Sequence, residues 1–324
     1  MKVIVLGATG MLGSMVLDFL RMERSFNVVG TARDERSIQE MRAKSRNVEW
    51  VSFDAENCTV ESIQKILTPG SWVFNAIGVI KPYIHDDNTY ETERATRINS
   101  LFPHVLARAA EENKCKVVQI ATDCVYSGRR GNYVETDQHD ALDVYGKTKS
   151  LGEVFAPNFV HLRCSIIGPE PKAHVSLLDW FLNREPGTRI NGYANHNWNG
   201  VTTLHFAKLL SGIVKTEQPL PHMQHILPAN RVSKYNLLLL FARYYKKNVE
   251  IKRSRASVEI NRTLNTLNQN LNCKLWENAG YSVPPSIEAM VGELASYKYS
   301  FYDHGSRPEK DKGKSQNLEP AQTH

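Results

Sequence analysis

No apolar run in the chain is long enough to cross a bilayer, which takes about 20 helical residues. A membrane-spanning role is not expected. The N-terminal apolar stretch Val3–Leu6 leads into glycine, not into a signal-cleavage pattern. Cysteine is scarce and scattered, with Cys58, Cys115, Cys124, Cys164 and Cys273 forming no C-x-x-C pair. That spacing argues against a thiolate zinc site and against a disulfide framework, and it fits a reducing, cytoplasmic setting. The pair His222 and His225 has no carboxylate or cysteine partner in sequence, so it reads as a strand edge and no metal is expected. The net charge is +6, but no nucleic-acid-binding motif accompanies it and the basic residues form no stripe. An anionic small substrate suits that charge. What remains is ordinary for a globular protein: 324 residues, 41% hydrophobic and 23% charged, enough for one large domain or two smaller ones.

The organising signal is at the start. Lys2–Leu6 reads as a buried strand, followed at once by Gly7-Ala8-Thr9-Gly10-Met11-Leu12-Gly13 and then a helical pattern through Arg21. Glycines at a strand-to-helix junction permit a tight turn and bring backbone N–H groups to a pyrophosphate at the helix N-terminus. Phe26–Ala32 reads as the second strand. At its end Arg33 stands where an acidic residue would bind a ribose 2′-hydroxyl, and arginine there accommodates a 2′-phosphate. NADP(H) is therefore the preferred cofactor, with NAD(H) as the alternative. Val48–Phe53 and Trp72–Ile77 read as further strands, the second ending in the small residues Ala76 and Gly78 around Ile77, where a bulky side chain would block a close-lying cofactor. Thr89–Asn113 reads as one long helix with Asn99 inside it, a residue that helix propensity does not favour.

Lys116–Ala121 reads as the fifth strand and delivers Thr122. The segment Asp143–Phe155 reads as a helix with Tyr145 and Lys149 one turn apart on one face. A phenol with a pKa near about 10 is a poor proton donor or acceptor at neutral pH. A neighbouring ammonium is expected to lower that value and make Tyr145 a general acid–base, with Thr122 as a second hydrogen-bond donor to the same oxygen. Strands alternating with helices indicate an α/β, Rossmann-like, doubly wound parallel sheet with ligands at the strand C-termini.

Beyond Gly168 the pattern changes. Ser176–Arg184, Leu204–Val214, Ser233–Tyr245 and Pro284–Tyr299 read as helices and Gln224–Leu227 as a short strand, forming a smaller C-terminal lobe. The expected division is a dinucleotide-binding domain over 1–165, with returns from later chain, a substrate-binding lobe over 166–302, and a disordered tail over 303–324, rich in Lys, Glu, Gln, Ser and Pro.

The Thr122-Asp123-Cys124-Val125-Tyr126-Ser127-Gly128 run, the Tyr145-Gly146-Lys147-Thr148-Lys149 run, Leu162–Ser165 and Gly200–Thr203 occur together in order. On these motifs the chain resembles the dTDP-4-dehydrorhamnose reductase group of extended short-chain dehydrogenase/reductases, from Met1 to about Tyr299. The resemblance implies NAD(P)H-dependent reduction of a 4-keto-6-deoxy sugar on a nucleoside diphosphate, in deoxysugar and surface-polysaccharide biosynthesis. It implies Thr122, Tyr145 and Lys149 as catalytic residues. It also implies Gly7, Gly10, Met11, Leu12, Asp54, Ala55, Ala76, Ile77 and Gly78 around the dinucleotide, with Asn99 at the family's structural asparagine. Members are usually homodimers. The stretches Ile77–Ala95 and Ala194–Trp198, expected to touch substrate, depart from the rhamnose enzyme. Cys124 replaces the glutamate acid of nucleotide-sugar 4,6-dehydratases. A 4-epimerase and a non-catalytic dinucleotide-binding regulator, as the regulatory subunit of methionine adenosyltransferase resembles, both remain compatible with these residues.

Overall fold

Alternating side chains of the first strand settle the layering. In β1 (Lys2–Leu6), Val3 and Val5 pack into one apolar cluster while Ile4 and Leu6 pack into another, all fully buried. Successive strand residues face opposite ways, so a strand apolar on both faces must be covered on both. The structure, a computed structural model, describes residues 1–172 and 174–301. The expected tail over 303–324 lies outside the described residues.

The strands β2 (Asn27–Ala32), β3 (Glu49–Ser52), β4 (Trp72–Asn75), β5 (Lys116–Ala121) and β6 (Phe159–Arg163) join β1 and an edge strand, Met223–His225, in one seven-stranded sheet. From the edge strand the order is β6, β5, β4, β1, β2, β3, and every pairing is parallel. Helix α1 (Met11–Leu20) and the later helix Thr203–Thr216 cover one face together; Val60–Gln64 and Phe102–Glu112 cover the other. This is the doubly wound α/β sheet the sequence predicts. The edge strand confirms the strand reading of the His222–His225 stretch, and among the described residues no cluster of three metal-ligating side chains exists. Among the same residues no helix is long and apolar enough to cross a membrane.

Several boundaries differ for physical reasons. The expected helix Thr89–Asn113 is interrupted by a π-helical turn at Thr96–Leu101. Pro103 has no N–H to return to the Asn99 carbonyl four residues earlier, so the ladder widens there. The last helix runs Ile287–Ser296 and is capped by Ser286, whose side chain accepts from the Ala289 N–H; the two prolines precede the cap. Helix α2 (Glu35–Lys44) was hidden in the sequence because only Ile38 and Met41 supply its apolar face. The small sheets of the C-terminal part were hidden because their strands are mostly two or three residues long. Among them, His196–Trp198 pairs on one side with Val232–Ser233 and on the other with Ile260–Asn261.

Candidate active site

One cavity of about 590 Å³ opens along the C-terminal ends of the sheet strands. At one end lies the turn between β1 and α1. Gly7 has φ +78°, the left-handed region that glycine enters at no steric penalty, and a Cβ on Gly13 would stand 2.2 Å from the Gly7 carbonyl oxygen. Only glycine at both positions lets α1 start directly on the turn. The N-cap residue Gly10 offers no side chain to the first-turn amides, and that turn holds no acidic residue. The amide end of α1 is thus left to an anion from outside the chain.

The expected dinucleotide residues mostly share this cavity. Gly7, Thr9, Gly10, Met11 and Leu12 line it from the turn, and Arg33 from the end of β2. Asp54 and Ala55 after β3, and Ala76, Ile77 and Gly78 after β4, line the adjoining wall. Gly13 and Asn99 do not. Gly13 is consumed in the contact with Gly7, and Asn99 works behind the wall. Its Oδ1 accepts from the Val79 N–H at 2.8 Å, and its Nδ2 donates to the Val79 carbonyl at 3.0 Å and to Thr148 Oγ1 at 3.3 Å. Asn99 therefore ties the loop after β4 to the helix carrying Tyr145 and Lys149.

That helix, Val144–Leu151, is capped by Asp143, whose Oδ1 accepts from the Gly146 N–H at 2.8 Å. Its other oxygen accepts from Lys81 Nζ at 3.1 Å. A Cβ on Gly146 would lie 2.6 Å from the Cys124 carbonyl oxygen, so glycine here is what lets the helix close on the Thr122–Val125 loop. The result brings Tyr145, Lys149 and Thr122 together in the cavity wall, where the Thr122 hydroxyl accepts from the Cys124 N–H at 3.1 Å. Arg163, only 1% exposed, holds this arrangement from behind. It donates to the Thr122 carbonyl at 2.7 Å and to Glu153 Oε2 at 2.7 Å, and its Nε donates to His225 Nε2 at 3.1 Å.

The electrostatics correct one expectation. Lys149 does not depress the Tyr145 pKa. Burial pushes the phenol up, the neighbouring Cys124 adds to the rise, and the Thr122 hydroxyl opposes it. Lys149 itself is pulled down to about 8 by burial, against the attraction of Glu153 and with the repulsion of Arg163. Tyr145 is therefore kept protonated, as a donor, and Lys149 titrates close to neutral pH.

Other cavity residues carry no motif, and several of them lie in the two stretches, Ile77–Ala95 and Ala194–Trp198, that the sequence expects to touch substrate. Lys81, Tyr83, Glu170 and Lys172 line it, as do His196, Asn197 and Trp198 from the stretch that departs from the rhamnose enzyme. Lys234 and Arg262 join them from two distant segments. A lone lysine at the start of an apolar helix gives no sequence signal of its place.

Comparison with known proteins adds the family. Residues 1–167 match the family described as the RmlD substrate binding domain. The chain belongs to this family. A dTDP-4-dehydrorhamnose reductase of Aggregatibacter actinomycetemcomitans is 31% identical over 113 residues, 31% of this chain and 38% of that protein. The match thus spans well under half the length of that curated relative. Two solved structures share the fold at 18% identity. One is a dTDP-4-dehydrorhamnose reductase of Bacillus anthracis in complex with NADP, with TM-score 0.66, covering 90% of this chain and 98% of that one. The other is a UDP-glucuronic acid 4-epimerase of Bacillus cereus in complex with UDP-glucuronic acid and NAD, with TM-score 0.68, covering 93% and 100%. At that identity the likeness concerns the fold alone.

Proposed function

We propose that this chain is an NAD(P)H-dependent reductase of a 4-keto sugar carried on a nucleoside diphosphate. The observation that carries the reading is the meeting of Thr122, Tyr145 and Lys149 in the same cavity that the glycine turn closes at its other end. The cradle fits a dinucleotide: side-chain-free glycines, uncapped amides of α1 and Arg33 at the end of β2 suit a pyrophosphate and a 2′-phosphate. NADP(H) is the preferred form. The relatives solved with NADP and with NAD support this class of cofactor. Residues 1–165 would carry the dinucleotide and 166–302 most of the sugar-nucleotide contacts.

A bound dihydronicotinamide supplies hydride to the keto carbon. This chain's residues then manage the oxygen. Tyr145, held protonated by burial, gives its proton to the developing alkoxide, and the Thr122 hydroxyl donates a second hydrogen bond to it. Lys149 would hold the nicotinamide ribose and offset the negative charge that builds up. A cytoplasmic homodimer is part of the same proposal. The five cysteines are free thiols, and exposed Leu101, Leu151 and Phe155 give a second copy an apolar surface.

The test is consumption of NADPH by purified protein against a panel of keto-sugar nucleotides headed by dTDP-4-keto-6-deoxyglucose. Absence of turnover across the panel sinks the reductase reading. The same three side chains serve a 4-epimerase, and the Bacillus cereus fold neighbour is one. Nicotinamide that stays bound through purification, with no net NADPH consumption, identifies that alternative.

A further inference from the structure

The hold that Arg163 has on Thr122 extends one residue further, to His139. Arginine carries donors only, so the 3.1 Å contact between Arg163 Nη2 and His139 Nε2 makes that ring nitrogen the acceptor. The proton of the neutral ring then sits on Nδ1, which donates to Ser150 Oγ at 2.7 Å. Ser150 belongs to the helix Val144–Leu151 that carries Tyr145 and Lys149. In the other direction, Arg163 Nη1 donates to the Thr122 carbonyl at 2.7 Å. An unbroken line of hydrogen bonds thus runs from Thr122, at the end of the fifth strand, through Arg163 and His139 to the Tyr145 helix.

The ring is fixed on its other sides. The edge-on ring of Tyr126 lies at 5.5 Å. The neighbouring Asp140 is committed to Ser127, accepting from its N–H and its hydroxyl at 2.6 Å each. Arg163 also meets a second imidazole, donating through Nε to His225 Nε2, while His225 Nδ1 donates to the Asn265 carbonyl at 2.8 Å. Both rings must be neutral for Arg163 to keep all its contacts. They differ in access. His225 is fully buried, whereas the His139 side chain is 26% exposed. It lines a second cavity of about 550 Å³, with His104, Lys147, Ser150 and Glu153. Solvent protons can therefore reach it. Burial holds the ring below its ordinary value of 6.5, and Arg163 and His225 add to that, while Glu153 and Asp140 oppose it. Once charged, Nε2 carries a proton and no longer accepts from Arg163. Two cations then share Glu153, whose Oε2 lies 2.7 Å from Arg163 and 3.6 Å from His139 Nε2.

We infer that His139 is a positioning residue: its neutral ring locks Arg163, and through it Thr122, against the helix of Tyr145, and its protonation from the second cavity loosens the site. The inference rests on the reductase reading above for the reaction it serves. It adds an acid limb, distinct from any titration of Lys149.

Steady-state reduction of a keto-sugar nucleotide from about pH 5 to 8 tests it, across the range where histidine changes charge. His139→Ala should lower kcat by about 10–100-fold, since a misplacement of about 1 Å can cost about 10²-fold, with KM and NADPH affinity within about threefold of the parent. His139→Gln offers one acceptor and one donor in the same side chain, so it should return kcat to within about threefold of the parent. It should also lack the parent's fall in kcat/KM at acid pH, because an amide does not titrate. Ser150→Ala should reproduce part of the His139→Ala loss, and the two losses should not add. A His139→Ala protein with the parent kcat overturns the inference, as does a His139→Gln protein that keeps the parent's acid limb. Where His139→Ala unfolds at a lower temperature than the parent, the His139→Gln profile decides. A parent that reduces no keto-sugar nucleotide sinks the reductase reading instead. NMR of the NADPH-loaded protein then decides this one: His139 should be the Nδ1–H tautomer, and the Thr122 methyl signal should move in His139→Ala. An Nε2–H ring or an unmoved methyl overturns it.

Discussion

The guanidinium of Arg163 donates to the carbonyl oxygen of Thr122 at 2.7 Å, from a position that is 1% exposed. One end of this contact is the sixth strand. The other is a residue that lines the cavity together with Tyr145. The same guanidinium reaches Glu153 just past the Tyr145 helix and lies over the ring of Tyr126 at 5.2 Å. Removing it leaves the Glu153 carboxylate, 9% exposed, without its strong partner. Truncating one member of a buried pair is strongly destabilising, about 3–5 kcal/mol. Arg163→Met should therefore lower stability by that order in urea unfolding. A loss under about 1 kcal/mol would show that Arg163 is dispensable to the fold.

Much of this was legible in the sequence, and the exceptions have causes. The glycine turn was legible because its strand-turn-helix context fixes what glycine is for. Tyr145 and Lys149 were legible because their spacing fits one helix face. Arg163 appeared only as part of a motif, since nothing in a linear string says that His225 and Glu153 will converge on it. Lys234 and Arg262 were invisible because two-residue strands bring them together, and such strands leave no periodicity. The direction of the Tyr145 shift was misjudged because proximity of a cation is read from spacing, whereas burial of the phenol requires the packed cavity.

Cofactor choice follows from Arg33 at the end of β2. It lines the cavity, and Lys172 reaches the same corner from the C-terminal part, donating to Ser37 Oγ at 2.8 Å. NADPH should bind more tightly than NADH. Arg33→Ala should remove most of the difference, since a hydrogen bond to a charged group contributes about 1.5–3 kcal/mol. Equal dissociation constants for the two cofactors in the parent protein would sink the idea.

Tyr145→Phe keeps the ring and its packing and removes only the proton donor. Turnover should fall by about 10²–10⁴-fold, the range of general acid catalysis, with NADPH affinity nearly unchanged. Thr122→Val should have a smaller effect, because it deletes a supporting donor. Stopped-flow single turnover with a saturating keto-sugar nucleotide separates chemistry from product release. A Tyr145→Phe protein that turns over at the parent rate would remove the mechanism.

The last prediction concerns pH. Lys149 titrates near about 8 in the folded chain, well under its ordinary value of 10.5. Burial is the main cause, Glu153 opposes it, and Arg163 adds to it. The sign for stability is set by proton counts. Between the folded and unfolded values the unfolded chain binds more protons, so the Lys149 contribution to stability rises with pH across that window. Below pH 8 the buried cation is destabilising in full. For binding the sign is opposite, because it is the ammonium that attracts the dinucleotide. NADPH affinity should therefore weaken as pH rises through about 8. Lys149→Met should bind more weakly at pH 7 and lose that dependence. Glu153→Gln, which removes the carboxylate that favours the charged amine, should move the transition to lower pH. Fluorescence titration of NADPH from pH 6.5 to 9.5 reads all three proteins. A flat parent profile, or a Glu153→Gln transition displaced upward, would show that Lys149 is not the group whose charge holds the cofactor.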